Sequence, residues 1–367
     1  MHHQTDFCVL GAGLAGLSVG DALQEHGFET IVVEKNAIGS GASGTPGGLV
    51  NPAIGRRGTK VWKAEEGYRA IAENLEKIQQ HGDEPFYQKN GLLRPALLEK
   101  MAQKMKEQYE LTLWPDGWCQ WKSELEIKEL HPGIQCVDGG LWLPIGLTVD
   151  VGSYLQAYAE YLIGTGLSFK TGTHPYLTEN NGGWKIELDT DTIQADNIVF
   201  STGAQTKSSF WWDWLPLELT KGQTATYSTN GETLSFSHSI SSLGYIAQSH
   251  RDNTFIQGST YEHDFNHLEP DKKGQQYLRK RMRRTLPKLA EEATLVDQWA
   301  GIRVFTPDKK PILGRHPIHN NMHIFTALGS KGLLYSKFLA NHYIDHLINR
   351  TGLFPKIAIE RYTKTRR

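Results

Sequence analysis

Residues 7–35 read FCVLGAGLAGLSVGDALQEHGFETIVVEK, and this stretch near the amino terminus decides the fold. The apolar run 7–10 is typical of a strand, the glycine-rich turn 11–16 follows at once, and residues 17–26 have a helical pattern that ends at a glycine. A second β-rich run then ends at Glu34, about 20 residues beyond the glycines. The order and spacing predict a dinucleotide-binding unit of strand, tight turn, helix and strand.

Each residue type in this unit has a physical reason. Gly11 permits the turn, Gly13 lets the backbone approach a pyrophosphate, and Gly16 lets the helix pack closely on the strand. The phosphates would lie at the start of the helix, where free N–H groups and the helix dipole offset their charge. Glu34 would accept hydrogen bonds from ribose hydroxyls. The alternative is a glycine-rich turn with a structural role alone.

Composition limits the remaining possibilities. A chain of 367 residues predicts two domains, and a formal charge of −1 gives no general electrostatic reason to expect nucleic acid or a membrane as partner. Cys8, Cys119 and Cys136 have neither CxxC nor metal-type spacing, which indicates a reducing compartment. The fifteen histidines form no ligand-type pair with supporting cysteines, so we expect no metal.

Two features of the apolar stretch 7–19 argue against a secretory signal. It lacks a positively charged leader, and glycines interrupt it. No run of the sequence approaches the roughly 20 apolar residues of a membrane span. We therefore expect a cytoplasmic protein with no membrane partner.

The remaining sequence alternates between two kinds of segment. The Gly, Ser and Pro-rich stretch 36–52 predicts a binding loop, with a simple linker as the alternative, and the turn 180–183 between two strand-like runs predicts a β-meander. The run NIVFSTGA (197–204) predicts a buried strand that places Thr202 and Gly203 near the phosphates. The predicted fold class is α/β, or α+β overall. Its discontinuous nucleotide domain comprises residues 1–80, 148–208 and 300–367, and its second domain comprises 81–147 and 209–299.

Three motifs resemble a known family. They are GSGASGTPGGL (39–49), GIRVFTPDKKPILG (301–314) and ALGSKGLL (327–334), and they look like motifs of the FAD-dependent amine and amino-acid oxidases of the D-amino acid oxidase and glycine oxidase type. The resemblance runs from end to end and implies a Rossmann-like FAD domain with an inserted antiparallel-sheet substrate domain. The expected cofactor-binding residues are Gly11, Gly13, Leu14, Ala15, Gly16, Glu34, Lys35, Gly41, Ala42, Ser43, Gly48, Leu49, Tyr176, Thr202, Gly203, Gly329, Ser330, Lys331, Gly332 and Leu333.

Within that superfamily, further segments look like the oxidase half of the bifunctional enzyme that completes 5-methylaminomethyluridine in tRNA. They are LTKGQ (219–223), GSTYEHDF (258–265) and TALGSKGLLYSKFLA (326–340). The likeness implies oxidation of a carboxymethylaminomethyl group with release of glyoxylate. The methyltransferase half is absent from the sequence, so we expect methylation to need another protein. The alternatives are oxidation of free glycine, sarcosine or a D-amino acid, a dehydrogenase that passes electrons to a partner, and a flavin-binding protein without turnover.

The expected catalytic residues are Arg303, Tyr245, Tyr261 and Lys331. By resemblance Arg303 holds the substrate carboxylate, which a planar guanidinium can grip through two parallel hydrogen bonds. Tyr245 matches the family's active-site tyrosine, and Tyr261 rests on the GSTY likeness. Lys331 would add charge at a helix start facing the flavin. The alternatives are non-catalytic roles, namely a structural ion pair for Arg303, a packed tyrosine for Tyr245 and an exposed helix cap for Lys331.

Two further expectations concern the cofactor and RNA. Val304 follows Arg303 and neither flavin-facing motif contains a cysteine, so we expect noncovalent FAD. The basic run LRKRMRR (278–284), in an expected helix at 275–284, and the tail 356–367 could contact an RNA backbone. A solvated surface is the alternative for both segments.

Overall fold

The computed structural model describes residues 1–82, 84–180, 182–230, 236–249 and 253–363. The helices, in chain order, are α1 (Leu14–Glu25), α2 (Ala64–Gln79), α3 (Glu99–Glu110), α4 (Glu124–Leu130), α5 (Val151–Gly164), α6 (Lys272–Thr285), α7 (Pro287–Glu292), α8 (Gly332–Asn349) and α9 (Glu360–Thr363). The strands are β1 (His2–Leu10), β2 (Thr30–Glu34), β3 (Gly48–Val50), β4 (Ala53–Ile54), β5 (Thr59–Lys60), β6 (Tyr87–Gln88), β7 (Leu92–Pro95), β8 (Gln120–Lys122), β9 (Gly140–Leu143), β10 (Leu147–Val149), β11 (Ser168–Thr171), β12 (Tyr176–Asn180), β13 (Gly183–Glu187), β14 (Thr192–Phe200), β15 (Glu218–Ser228), β16 (Ser239–Ser241), β17 (Tyr245–Gln248), β18 (Thr254–Gly258), β19 (Thr294–Phe305), β20 (Ile312–Arg315) and β21 (Met322–Thr326).

The first sheet contains the amino-terminal unit. β1 pairs in parallel with β2 on one side and with β14 on the other, and β11 extends the sheet beyond β2. β14 is long enough to pair with β13 along its first half and with β21 along its second half. β2 and β14 flank β1 on opposite sides, so the carboxyl ends of β1 and β14 border a crevice of the kind that binds dinucleotides.

Helices cover this sheet. α1 and α8 pack against each other, and α8 also packs on α2. The carboxylate of Asp21 in α1 is buried and accepts hydrogen bonds from Lys337 of α8 and Tyr158 of α5. α1 ends where Gly27 takes a φ of +80°, a value that glycine adopts without a Cβ clash. The prediction of strand, turn, helix and strand over 7–35 is confirmed.

The second sheet is large and mostly antiparallel. Its order is β19-β15-β18-β17-β16-β7-β9-β8, and the β16–β7 pair is its parallel pair. α6 and α7 cover it, with Leu278 and Met282 buried against Tyr227 and Phe255. The expected basic helix is confirmed as α6, which begins at Lys272 and is capped by the Asp271 side chain.

The arrangement confirms the expected fold class, a Rossmann-like unit joined to an antiparallel-sheet unit. β12, β13 and β14 form the expected β-meander, although Asn181 of its first turn lies outside the described residues. The expected domain boundary at residue 300 falls inside β19, whose carboxyl end carries the chain from the large sheet back to the nucleotide-binding unit. No helix in the described ranges is long and apolar enough to cross a membrane.

Candidate active site

A cavity of about 1040 Å³ lies where the two units meet. Its wall combines the segments that follow β1, β2 and β14 with strands β15 and β19 of the large sheet. Its size is ample for a dinucleotide and a small substrate, since ligand sites commonly occupy about 300–1,000 Å³.

Glycines make the close approach at one end of this cavity possible. Gly11 has a φ of +98°, and a Cβ there would lie 2.6 Å from the carbonyl oxygen of Ser201. A Cβ at Gly16 would overlap the Gly11 carbonyl, so Gly16 serves the packing of α1 on the turn and does not line the cavity. At Gly13 a Cβ would lie 2.9 Å from Ser43 Oγ. The backbone at the start of α1 is thus bare toward the cavity.

The start of α1 offers N–H groups to an anion. The Leu14 N–H donates to Ser43 Oγ at 3.1 Å, and the first turn of α1 contains no acidic side chain. Ser43 belongs to the short 3-10 turn 42–44 inside the glycine-rich loop. The positive end of the helix dipole therefore faces the cavity without a charged cap, which is the arrangement that binds pyrophosphate.

Glu34 lies at the end of β2, also in the cavity wall. Its two carboxylate oxygens accept hydrogen bonds from the N–H groups of Ala12 and Asn36, each at 2.9 Å. These bonds fix the carboxylate, and each oxygen keeps a further lone pair for a ribose hydroxyl. A glycine cradle, a bare helix start and a fixed acceptor together fit the dinucleotide half of FAD.

A second helix start, that of α8, also lies in the cavity wall, and a Cβ at its Gly332 would lie 3.0 Å from the Leu14 side chain. It follows Gly329, which has a φ of +58° and where a Cβ would overlap the Phe305 ring. The Lys331 ammonium donates to the Lys309 carbonyl at 2.9 Å, and burial, with nearby Lys310, lowers the pKa of Lys331. Its charge thus points to the turn at 306–310, and the backbone of α8 remains as the donor to a ligand.

The expected cofactor-binding residues all line this cavity except Gly16 and Tyr176. Tyr176 lies on β12, and its side chain is 69% exposed, outside the cavity wall. The preceding Pro175 lines the cavity instead. The residues that do line it are Gly11, Gly13, Leu14, Ala15, Glu34, Lys35, Gly41, Ala42, Ser43, Gly48, Leu49, Thr202, Gly203, Gly329, Ser330, Lys331, Gly332 and Leu333.

Arg303 projects from β19 across β15 into the cavity wall. Gly222 of β15 provides the passage, since a Cβ there would overlap the Arg303 guanidinium. The guanidinium donates to Ser259 Oγ at 3.0 Å and to the Thr260 carbonyl, and its Cζ lies 4.1 Å from the centre of the Tyr261 ring. Within the described ranges no carboxylate forms an ion pair with Arg303. Its remaining N–H groups are available to a substrate anion.

The two expected tyrosines both lie near this guanidinium. Tyr261 forms one wall of the cavity and is 51% exposed. The Tyr245 hydroxyl donates to the Gly47 carbonyl at 2.8 Å and so joins β17 to the glycine-rich loop. Burial raises the pKa of Tyr245 to about 12, although Arg303 acts in the opposite direction. The phenol therefore stays protonated at neutral pH and acts as a donor.

The basic segments have different surroundings. Arg281 of the run 278–284 lines the cavity, and Arg279 instead donates to the carbonyls of Ala290 and Ala293. In the tail, Arg361 forms an ion pair with Asp308, and residues 364–367 lie outside the described residues. The two segments are thus engaged in separate local contacts.

Several wall residues escaped the sequence analysis. Trp299 of β19 and Gly222 line the cavity, and so do Arg56 and Arg94. Arg94 is 3% exposed within the buried strand β7. A single arginine inside the otherwise apolar run LLRP was the signal that could have revealed it. In the described part of the chain, no cluster of metal-ligating side chains is present.

Comparison with known proteins identifies the class. The family described as FAD dependent oxidoreductase (DAO) matches residues 6–345, and the chain belongs to this family. It is therefore an FAD-dependent oxidoreductase, as the motifs indicated.

The chain is similar to a tRNA 5-methylaminomethyl-2-thiouridine biosynthesis bifunctional protein MnmC from Legionella pneumophila. The two are 22% identical over 391 aligned positions, which cover 98% of this chain and 56% of the relative. The chain thus spans about half the length of the curated relatives it matches.

Solved structures confirm the fold. Glycine oxidase from Geobacillus kaustophilus superposes with a TM-score of 0.85 at 21% identity, with 96% of each chain covered. L-proline dehydrogenase from P. horikoshii superposes with a TM-score of 0.82 at 18% identity, over 97% of this chain and 96% of that one.

Proposed function

We propose that the chain oxidises the carboxymethylaminomethyl group of a tRNA uridine, an N-substituted glycine. The carbon between the amine and the carboxylate loses a hydride, and the resulting imine takes up water. Its C–N bond then breaks, which releases glyoxylate and leaves the aminomethyl base. FAD, when bound, accepts the hydride and its two electrons. The likeness to MnmC relatives over 98% of the chain supports this substrate.

The observation that carries the proposal is the set of contacts that the Arg303 side chain makes. Its guanidinium is fixed by Ser259 and Thr260, is backed by the Tyr261 ring, and forms no ion pair with the described carboxylates. A fixed guanidinium of this kind suits a carboxylate, which two parallel N–H groups can grip. Binding in this way would hold the adjacent carbon in one orientation, which lowers the entropic part of the barrier.

The cavity wall also suggests how the proton balance is managed. Among the described residues, Glu34 is the carboxylate in the wall, and it lies at the ribose-binding end. The Tyr245 phenol stays protonated because burial raises its pKa to about 12. Removal of hydride from a neutral amine needs no base at the carbon, and this wall suits that route. Tyr245 would keep the Gly47 loop in place, because its one O–H donates to the Gly47 carbonyl, and the phenol oxygen could accept from the amine of the bound substrate.

We further propose that FAD is held without a covalent bond. The described residues of the cavity wall include no cysteine, and Cys8, Cys119 and Cys136 are all buried elsewhere. Acid precipitation of the purified protein should release all of the yellow cofactor into the supernatant. Flavin that stays with the precipitate would contradict this part of the proposal. Because the proposed substrate is tRNA, the proposal also implies a cytoplasmic enzyme.

Oxidation of a free small amino acid is the second candidate, since the fold matches glycine oxidase and Arg303 would serve either substrate. Anaerobic mixing separates the two. The purified yellow protein is mixed with glycine, sarcosine, D-alanine, L-proline or tRNA that carries carboxymethylaminomethyluridine. We expect the tRNA to bleach the visible flavin band much faster than any free amino acid. Rapid bleaching by glycine or sarcosine with none by tRNA would favour the second candidate.

A further inference from the structure

Three arginines line the cavity away from Arg303. Arg94 lies in β7, Arg281 lies in α6, and Arg56 lies in the turn between β4 and β5. Arg94 is 3% exposed, and Arg56 is exposed to solvent. No ion pair found in the described ranges involves any of the three. Three cations without acidic partners in one wall concentrate positive charge inside the cavity.

Hydrogen bonds bring these arginines onto one patch of the wall. Arg94 donates to Ser241 Oγ at 2.7 Å and to the Gly55 carbonyl, next to Arg56. Arg281 donates to the Leu243 carbonyl, two residues beyond Ser241. The loop 241–244 and the turn at Gly55 are therefore both held by guanidinium groups.

Arg94 also has an unsatisfied donor within the protein. Its Nε has no hydrogen-bond partner in the described part of the chain, although the atom is buried. Burial lowers the pKa of Arg94 to about 10, so the side chain still carries its charge at neutral pH. A buried charge without a counterion is costly, and a bound anion would remove much of that cost.

The position of the patch relative to Arg303 sets the size of the ligand. Ser259, which accepts from Arg303, follows β18, and Ser241, which accepts from Arg94, ends β16. β17 pairs with both of these strands and lies between them. Two strand spacings separate the two serines by about 10 Å. This distance is of the order of one nucleotide.

We infer that Arg94, Arg281 and Arg56 form a second anion subsite, which binds a phosphate of the nucleotide whose carboxylate Arg303 holds. The identity of the ligand rests on the proposed function. Guanidinium groups suit phosphate because each can donate two parallel hydrogen bonds to its oxygens. Within the run 278–284, Arg281 makes this contact, and Arg283 and Arg284 are exposed outside the wall.

Calorimetric titration of the FAD-loaded protein tests the subsite without turnover. The probes are uridine, uridine 5′-monophosphate and inorganic phosphate at one fixed low salt concentration. We expect the monophosphate to bind at least about tenfold more tightly than either other probe. The variants Arg281→Met and Arg56→Met should lose most of that advantage and keep their affinity for uridine. Arg284→Met, on the same helix, is the matched control and should change neither affinity by more than about twofold.

Two results would overturn the subsite. One is equal affinity for uridine and its monophosphate, and the other is an equal loss in Arg284→Met and Arg281→Met, which would indicate general surface charge. Failure of the proposed function looks different. If the protein binds the monophosphate through Arg281 but no tRNA reduces its flavin, the subsite stands and the proposed function is wrong. If the wild type and the variants that lack Arg281 or Arg56 oxidise the tRNA equally well, the subsite proposal is wrong and the proposed function stands.

Discussion

Replacement of Arg303 by methionine should remove substrate binding and leave the flavin in place. A guanidinium has five N–H donors, and two of the Arg303 donors are engaged by Ser259 and Thr260. Three donors therefore remain, which is enough for two hydrogen bonds to a carboxylate. Hydrogen bonds to charged groups contribute about 1.5–3 kcal/mol each, so the pair is worth about 3–6 kcal/mol. At 1.4 kcal/mol per factor of ten, kcat/KM should fall by about 10²–10⁴-fold.

The assay compares two substrates that differ in the carboxylate alone. Reduction of the flavin is followed anaerobically with an N-carboxymethyl amine and with the corresponding N-methyl amine. Arg303→Met should show the full loss with the first and a change under about threefold with the second, because the second makes no contact with the guanidinium. Arg284→Met serves as the control for loss of one surface charge. Equal losses on both substrates, or none on the carboxylated one, would refute the role of Arg303 as a carboxylate anchor.

Three further predictions follow from the same structure. Gly13→Asp and Glu34→Arg should each give protein without flavin, because the first places an anion at the start of α1 and the second removes the ribose acceptor; full flavin absorbance in both would contradict this. Gly222→Ala should raise KM at least about tenfold with unchanged flavin content, because the new Cβ would displace the Arg303 guanidinium. An unaltered KM would show that Arg303 does not need a glycine at position 222 to reach the substrate. Burial lowers the pKa of His131 to about 4, so the unfolded state binds a proton first and stability should fall as the pH drops from about 6.5 toward about 4. The Tm of His131→Phe should therefore fall less than the Tm of the wild type when the pH is lowered from about 7.5 to about 5. An equal fall in both proteins would contradict this account.

The nucleotide-binding half could be predicted because its signals are local. The turn at 11–16 and Glu34 lie within one strand-turn-helix-strand unit, and their chemistry is set by glycine geometry and helix ends. The fold class and the FAD family followed from these residues and the motifs at 39–49, 301–314 and 327–334, and both are confirmed. The same locality explains why α1 and its glycine end were predictable.

The substrate wall depends on contacts between distant strands. Arg94 reaches the cavity because β7 pairs with β16, a partner that strand periodicity does not specify. The outward position of Tyr176 follows from its place on β12 at the outer edge of the β-meander. Lys331 lies in the cavity wall as expected, and the carbonyl of Lys309 accepts a hydrogen bond from its ammonium, a contact set by a turn 22 residues earlier in the chain. Such details depend on register and turn geometry, which the sequence alone does not display.

Conversion of the tRNA nucleoside tests the central claim most directly. The purified FAD-loaded protein is incubated with tRNA from a strain that lacks the gene, and the nucleosides and glyoxylate are quantified by mass spectrometry. We predict that carboxymethylaminomethyluridine in this tRNA is converted to aminomethyluridine, with one glyoxylate released for each base converted, and that Arg303→Met slows both changes by about 10²–10⁴-fold. An unaltered nucleoside profile, with rapid oxidation of free glycine or sarcosine by the same preparation, would contradict the claim.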